Sequence, residues 1–193
     1  MSHTLHREGS RRDLRDDYIV LMMAAKGINE RGAAAKLRRF VRIARRHGAV
    51  NFGDMKAGSR TERTRNHSIM QAVFTDIRAV KAVLRDIRRA RLGLSVTVTG
   101  LVAPIHKACG RTPHTVAHSL GIWGNRRRLP SPAVLPLVTM CGHGLVSARL
   151  VESLAAAVRA GRCSAEKAAL QLARPCVCGA FNPVRAARLL KKL

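Results

Sequence analysis

Short apolar runs alternate with amphipathic stretches over residues 17–99, and this alternation constrains the fold more than any other feature. The run DYIVLMMAA at 17–25 predicts a buried strand, and the apolar residues of 33–46 recur at the spacing of one helix face. Because parallel neighbouring strands need crossover connections, the alternation favours a parallel or mixed sheet covered by helices. The remaining predictions are strands at 49–52, 71–75 and 94–99, a polar loop at 53–66 and a helix at 77–93.

The pattern becomes mainly helical after Pro130. Apolar residues at helical spacing predict helices at 146–158, 164–173 and 182–193. No long linker separates these helices from the strands, so we expect them to pack on the sheet. The predicted organisation is an α/β fold with a polar N-terminal arm (1–16), an α/β core (17–130) and a helical C-terminal region (131–193).

No segment of the sequence predicts export or membrane insertion. The early apolar run from Tyr18 to Ala25 is too short to cross a bilayer, and the charged residues before it do not resemble a signal peptide. The number of cysteines, five, is odd, which favours the free or metal-bound thiols of a reducing compartment over a disulfide framework. We therefore expect a cytoplasmic protein.

A formal net charge of +25 makes nucleic acid a candidate partner. Arginine supplies 28 of the 36 basic residues, and its planar guanidinium suits phosphate oxygens. However, only 3% of the residues are aromatic, so the stacking surface typical of RNA and single-strand binders is missing. The basic residues are also dispersed along the chain. The charge thus predicts non-specific attraction to nucleic acid before it predicts a function.

The C-terminal cysteines give the strongest indication of chemistry. Cys141 lies in MCGHG, Cys176 and Cys178 lie in CVCG, and both groups precede predicted helix N-termini. The second of these helices is predicted to begin with Asn182 as N-cap and Pro183 as its first residue. The unpaired N–H groups and the dipole of a helix N-terminus stabilise a thiolate, and the neighbouring glycines let the backbone approach a bound ion or cluster. Because two separate segments offer the same features, the sequence predicts one shared metal site.

Three thiolates require a fourth ligand, for which Cys109, Cys163 and His143 are the candidates. We favour Cys109, because it lies at the Gly110 turn after a short helical stretch and could reach the C-terminal helices. Four cysteines suit an iron–sulfur cluster, whereas a set with His143 suits zinc. The spacing matches neither a zinc finger nor a ferredoxin motif, and buried structural cysteines or a reactive thiol site remain alternatives.

His114, His118 and Trp123 are candidates for a pocket or a ligand set. The two histidines stand four residues apart and share a face whether the segment forms a helix or a strand. As a pair they could bind a metal, although structural histidines are commoner than ligands. Trp123 lies between two glycines and favours a position in the core or in a pocket wall over a stacking role.

Lys26, Asp54 and Asp76 each follow a predicted strand, at the place where α/β sheets usually bind ligands. The three could therefore line a pocket, but Asp76 is better explained as the N-cap of the helix that follows it. The common signatures of nucleotide-binding loops, of serine hydrolases and of zinc proteases are absent from the sequence.

Four segments, AAKGIN, HSLGIWG, MCGHGLVS and CVCGAFNP, together resemble an uncharacterised family of small cysteine-containing proteins of anaerobic microbes. The resemblance spans nearly the whole chain. It implies that Cys141, Cys176 and Cys178 are common to the family, whereas Cys163 and the large positive charge are features of this chain. It implies no established activity.

These observations predict a metal- or iron–sulfur-binding protein that serves as an accessory or electron-transfer component of an anaerobic enzyme system, together with a redox partner protein. Two alternatives stay open. One is a basic nucleic-acid-binding protein. The other is a thiol-dependent redox enzyme that uses Cys141 or Cys178 as the nucleophile, with His143 nearby.

Overall fold

The computed structural model describes residues 3–54, 68–110 and 112–193. Most of the polar loop predicted at 53–66 lies outside these residues. The strands in the described residues are β1 (Tyr18–Met23), β2 (Asn51–Gly53), β3 (Ile69–Phe74) and β4 (Ser95–Thr99). The helices are α1 (Arg11–Leu14), α2 (Ala33–Arg46), α3 (Ile77–Arg89), α4 (Val102–Cys109), α5 (Leu135–Val138), α6 (Ala148–Arg159), α7 (Ala165–Ala173) and α8 (Pro183–Leu190), with 3-10 turns at His3–His6 and Arg126–Arg128.

The four strands form one sheet in the order β2-β3-β1-β4. Tyr18 pairs with Phe74 and Ile19 with Thr99, so β1 is central, and Asn51 pairs with Val73 at the other side of β3. The predicted α/β fold is confirmed. Each pairing in the described sheet is antiparallel, however, so the sheet is not the parallel one that the order of strands and helices favoured.

The difference arises because each helical crossover passes over one strand. The helix α2 connects β1 to β2, which run in the same direction, and β3 lies between them. Likewise α3 connects β3 to β4, and β1 lies between those two strands. Two interleaved units of this kind form the split β-α-β, or ferredoxin-like, arrangement. Helical crossovers therefore do join parallel strands here, but never neighbouring ones.

The sheet separates two apolar cores, which explains why β1 is apolar at every position. Val20 and Met22 face α2 and α3, together with apolar side chains of both helices. Ile19 and Val73 point to the opposite face and pack in a core built mainly from α5 to α8. Successive strand side chains point to opposite faces, so a strand covered on both sides has no polar face.

Residues at the helix ends define where the covering helices begin. Asp76 caps α3, because its side chain accepts a hydrogen bond from the backbone N–H of Arg78. Asn182 caps α8 in the same way, and Pro183 is the first residue of that helix, which confirms both predictions. Within the described residues, no helix combines the length and the apolar character needed to cross a membrane.

Candidate functional site

The side chains of Cys141, Cys176 and Cys178 meet in the core between the sheet and the C-terminal helices. The three residues are 2%, 3% and 1% exposed, respectively. The Sγ atoms of Cys176 and Cys178 are 3.6 Å apart, and Cys176 also forms a hydrogen bond with the thiol of Cys141. Two segments that are 35 positions apart in the sequence (141 against 176) therefore contribute to one cluster of thiols.

The two cysteine loops have the same turn. The N–H of Gly144 donates to the carbonyl oxygen of Cys141, and the N–H of Gly179 donates to that of Cys176, each over 3.0 Å. Both glycines have a positive φ, 68° and 72°, which a residue with a side chain rarely adopts. The N-cap of the following helix comes three residues after each glycine, at Ser147 and Asn182. The pattern Cys-x-x-Gly-x-x-N-cap thus occurs twice.

Backbone N–H groups of both loops point at the three sulfur atoms. Cys141 accepts hydrogen bonds from the N–H groups of His143 and Leu145, Cys176 from that of Phe181, and Cys178 from that of Ala180. Each donor lowers the pKa of the thiol that accepts it, because it stabilises the negative charge of the thiolate. The loops therefore provide an environment suited to charged sulfur, which buried apolar cysteines do not need.

Side chains from the sheet hold the second loop in place. The Nε2 group of Gln71 donates to the carbonyl oxygen of Cys178, and the Nδ2 group of Asn51 donates to that of Phe181, each over 2.8 Å. Gly179 lies directly against β2, and a Cβ atom at this position would overlap the backbone of Phe52. The close approach of the loop to the sheet thus requires glycine for space as well as for φ.

We expect Gly179→Ala to destabilise the protein more than Gly144→Ala. At Gly144 a Cβ atom meets nothing within 4 Å, so only the positive φ opposes alanine, at a cost of about 1 to 2 kcal/mol. At Gly179 the overlap with β2 adds about 1 to 3 kcal/mol. Urea unfolding of the two variants measures the difference. Equal losses of stability would show that the loop can move away from β2 at little cost.

A buried ionic network joins the N-terminal segment to both cysteine loops. One NH2 group of Arg7 donates to the carbonyl oxygens of Met140 and Ala180, which flank the cysteines of the two loops. The other end of the guanidinium pairs with Asp17, and Arg185 donates to the same carboxylate oxygen over 2.8 Å. The side chains of Asp17 and Arg185 are 0% exposed and that of Arg7 is 5% exposed.

Asp17 is held in its charged form by this network. Burial alone would raise the pKa of its carboxyl group, but the charges of Arg7 and Arg185 outweigh burial and lower the pKa below its ordinary value. Asn182 adds a hydrogen bond from Nδ2 to Asp17 over 3.0 Å, while its side-chain oxygen caps α8. The residue that ends the second cysteine loop is therefore part of the ionic network.

The three thiols form a chain of hydrogen bonds that distributes their protons unequally. The bond to Cys176, together with burial, raises the pKa of Cys141 far above the ordinary value. The bond from Cys141 lowers the pKa of Cys176, but the bond to Cys178 and burial outweigh it and raise the value to about 11. The bond from Cys176, the N–H of Ala180 and the charge of Arg7 lower the pKa of Cys178 in spite of burial. Cys178 is therefore the first to lose its proton.

The hydrogen bonds link the three thiols in a row. Cys176 lies in the middle and contacts both of the others. In the part of the chain that the structure describes, no group of three or more His, Cys, Asp or Glu side chains has the geometry of a metal site. A shared ion would therefore require the hydrogen bonds between the sulfurs to be replaced by bonds to the metal.

Comparison of the chain with protein-family models, curated proteins and solved structures finds no match. The resemblance to a family of small proteins of anaerobic microbes therefore stays a prediction.

The candidates for a fourth ligand lie outside the row of thiols. Cys109 packs with the core on the α2 and α3 side of the sheet, whereas Cys141, Cys176 and Cys178 lie in the core on the other side, which argues against Cys109 as the fourth ligand. Cys163 is half-buried and its thiol donates to the carbonyl oxygen of Ser164 over 3.4 Å. His143 belongs to the first cysteine loop, but it is exposed.

The structure does not gather Lys26, Asp54 and Asp76 into one pocket. Asp76 caps α3, as favoured from the sequence. It follows β3, which runs opposite to β1, so it lies at the other end of the sheet from Lys26. Asp54 is 3% exposed at the end of β2, whereas Lys26 is exposed. The expectation of a shared pocket depended on parallel neighbours, and the antiparallel pairing removes its basis.

The segment that carries His114, His118 and Trp123 is neither a strand nor a regular helix where it is described. Both histidines are exposed, and the ring of His114 contacts the hydroxyl of Thr115 at 2.8 Å. Trp123 is 82% exposed, so the prediction of a core position is wrong. The segment lies outside both packed cores, and a single large side chain within it has no layer to pack against.

Two parts of the site were not predicted from the sequence. The repeat CGHGLVS and CVCGAFN is visible when the loops are aligned on their first cysteine, but five of its seven positions differ. The ionic network left almost no pattern in the sequence, because Arg7, Asp17 and Arg185 resemble the many other charged residues of the chain. A single aspartate immediately before a strand that is apolar throughout was the only available indication.

Proposed function

We propose that this protein binds a single metal ion, zinc, through the thiolates of Cys141, Cys176 and Cys178. The observation that carries the proposal is the cluster itself, in which the sulfur of Cys176 contacts the other two buried sulfurs and the three accept four backbone N–H groups. Such donors stabilise a thiolate more than a neutral thiol, and metal-bound sulfurs commonly receive them. A core that only needed small apolar side chains would gain nothing from this arrangement.

The separation of the sulfurs favours one ion over a cluster. A tetrahedral zinc ion with bonds of about 2.3 Å holds its sulfurs about 3.8 Å apart. The Sγ atoms of Cys176 and Cys178 are already 3.6 Å apart. In a four-iron cluster each cysteine binds a different iron, which places the sulfurs farther from one another. The electron-transfer role expected from the sequence requires iron, since zinc has no redox chemistry.

His143 is the candidate for the fourth ligand. It stands two residues after Cys141, as Cys178 stands two residues after Cys176, so it occupies the corresponding position of the repeated loop. Three thiolates with one imidazole are a common ligand set of structural zinc sites. Its side chain is exposed, and a rotation towards the sulfurs would be required for binding.

Arg7 would balance the charge of the loaded site. Three thiolates and one zinc ion carry a net charge of −1, which is costly in a buried position unless a cation lies nearby. The guanidinium of Arg7 lies beside Cys178 and already lowers the pKa of that thiol. Its bonds to Met140 and Ala180 also hold the two loops side by side, so the ligands from both loops are positioned before an ion arrives.

We expect the reduced protein to bind one zinc ion per chain and the Cys176→Ser variant to retain less than about a tenth of it, because the central ligand is lost. Cys163→Ser is the matched control, since this half-buried cysteine packs on the same core without joining the row of thiols. Metal analysis after dialysis gives the stoichiometry. Titration with cobalt, followed by the absorption band of charge transfer from sulfur to cobalt, reports the number of thiolate ligands. The His143→Ala variant tests whether the imidazole is the fourth ligand.

Three results would contradict the proposal. Stoichiometric iron with inorganic sulfide would identify a cluster. A folded, reduced protein that binds neither zinc nor cobalt would show that the cysteines are structural. Reversible formation of a disulfide within the row, with no affinity for metal, would favour the thiol-dependent redox alternative.

A further inference from the structure

The outer surface of α2 and α3 is strongly basic. The two helices carry eleven Lys or Arg residues, six in α2 and five in α3, against one acidic residue, Asp86. Both helices bury their apolar side chains against the same face of the sheet, so their basic side chains lie on one side of the molecule. The exposed members are Arg39, Arg42, Arg45, Arg46, Arg78, Lys81, Arg85, Arg88 and Arg89. We call this surface the basic face.

Asp86 neutralises only part of the basic face. It accepts hydrogen bonds from Arg46 over 3.0 Å and from His47 over 2.8 Å, and it lies 3.4 Å from the guanidinium of Arg85. The contact with Arg46 also shows that the basic rows of the two helices adjoin. The cations with no carboxylate partner among the described residues are Arg39, Arg42, Lys81 and Arg88.

The basic residues are therefore dispersed in the sequence but concentrated in the fold. Arg42 lies one turn before Arg46 on α2, and Lys81 lies one turn before Arg85 on α3, so both belong to the rows that meet at Asp86. Uncompensated like charges at this density repel one another, which destabilises the folded protein. A bound polyanion would relieve that repulsion.

Other features of the basic face restrict the partner. None of the exposed large apolar side chains of the described chain lies on α2 or α3, so the surface has nothing to insert into a membrane. It also exposes no aromatic side chain on which unpaired bases could stack. The sheet offers no stacking surface for bases either, because the helices cover both of its faces around β1 and β3. Guanidinium groups without stacking partners suit a regular array of phosphates.

We propose that the basic face binds the phosphate backbone of double-stranded nucleic acid without reading its sequence. The proposal does not depend on the metal site, which lies in the core on the opposite side of the sheet. DNA and RNA duplexes present the same phosphate chemistry and differ in groove shape. Failure of zinc binding would therefore leave this proposal intact, and failure of duplex binding would leave the metal site intact.

The test compares two double variants with the same change in charge. Arg42→Glu with Lys81→Glu alters the basic face, whereas Arg149→Glu with Arg162→Glu alters exposed residues of the C-terminal region. Fluorescence anisotropy follows binding to a 20-base-pair DNA duplex and to the RNA duplex of the same sequence over a range of KCl concentrations. We expect the first variant to bind at least about tenfold more weakly, with the salt dependence reduced by about two phosphate contacts. The second should change affinity by less than about threefold.

The remaining outcomes each overturn the proposal. Equal weakening by the two variants would mean that the total charge attracts the duplex and that no face is preferred. Tighter binding to a single strand than to either duplex would indicate another surface. Tighter binding to vesicles with phosphatidylserine than to the duplexes would identify a membrane surface as the partner. Circular dichroism establishes whether both double variants are folded. If one of them is not folded, its two single-substitution variants are measured instead.

Discussion

Replacement of Asp17 by Asn is expected to destabilise the protein by about 3 to 5 kcal/mol, because it removes the negative charge that two buried guanidinium groups share. Arg7 and Arg185 both contact the same carboxylate oxygen, and neither can move into solvent without disturbing the chain around it. Asparagine has nearly the same shape, so the loss reports charge and not packing. Urea unfolding at neutral pH measures it.

The neighbouring Asp16 provides a matched control. Its side chain is 45% exposed and pairs with Arg188 at the surface. Exposed ion pairs contribute little, so we expect Asp16→Asn to change the free energy of unfolding by less than about 1 kcal/mol. Comparable losses in the two variants would show that the buried network does not stabilise the protein more than a surface pair does.

Acid should remove the contribution of Asp17. The network lowers the pKa of this carboxyl group in the folded state, so its stabilisation is complete above the unfolded pKa of about 3.9. As the pH falls from there through the lower folded pKa, the folded protein takes up the proton and the stabilisation is lost. We therefore expect the difference in stability between the natural protein and Asp17→Asn to narrow below about pH 4.

The affinity for zinc is expected to rise at least about a hundredfold for each pH unit between about pH 6 and pH 8. Zinc binds thiolates, and the pKa of Cys141 is raised far above this range while that of Cys176 is raised to about 11. Both must lose a proton when the ion binds. Two protons released for each ion make the apparent affinity depend on the second power of the hydroxide concentration. The pKa of Cys178 is lowered, so this thiol gives up its proton more readily than the other two.

Competition with a chromophoric chelator at several pH values measures this slope, after correction for the protons of the chelator. Calorimetry in two buffers of different ionisation enthalpy counts the released protons independently. The Cys163→Ser variant should have the same slope, because this thiol lies outside the row. A slope of tenfold or less for each pH unit would contradict the raised pKa values of Cys141 and Cys176, because it would mean that no more than one proton leaves when the ion binds.

The positions of the helices and strands could be predicted well because they depend on local patterns. The prediction of a helix at 33–46 coincides with α2, and the cap at Asp76 and the Asn182-Pro183 start of α8 are confirmed. Apolar periodicity and helix caps are both features of a few neighbouring residues. The pairing of the strands is not local, since the same β-α-β-β-α-β order is compatible with adjacent parallel strands or with the interleaved arrangement observed here.

The candidate site was partly predictable for the same reason. Glycines next to cysteines before a helix indicate a turn that exposes N–H groups, and the two loops do adopt it. Whether two cysteines come into contact depends on the side of the sheet on which each of them packs. Cys109 lies on the other side of the sheet from the three clustered cysteines, and no sequence pattern marks that separation.

The sequence by itself determined the helices and strands, the α/β class and the local shape of both cysteine loops, because hydrophobic periodicity, N-caps and glycines act over a few residues. Only the tertiary structure decided that these loops meet, that Arg7 and Asp17 join them, and that the arginines of α2 and α3 form one basic face. Each of these contacts links residues distant in the chain. Such contacts depend on the packing of the whole sheet and its two covering layers, which local patterns do not specify.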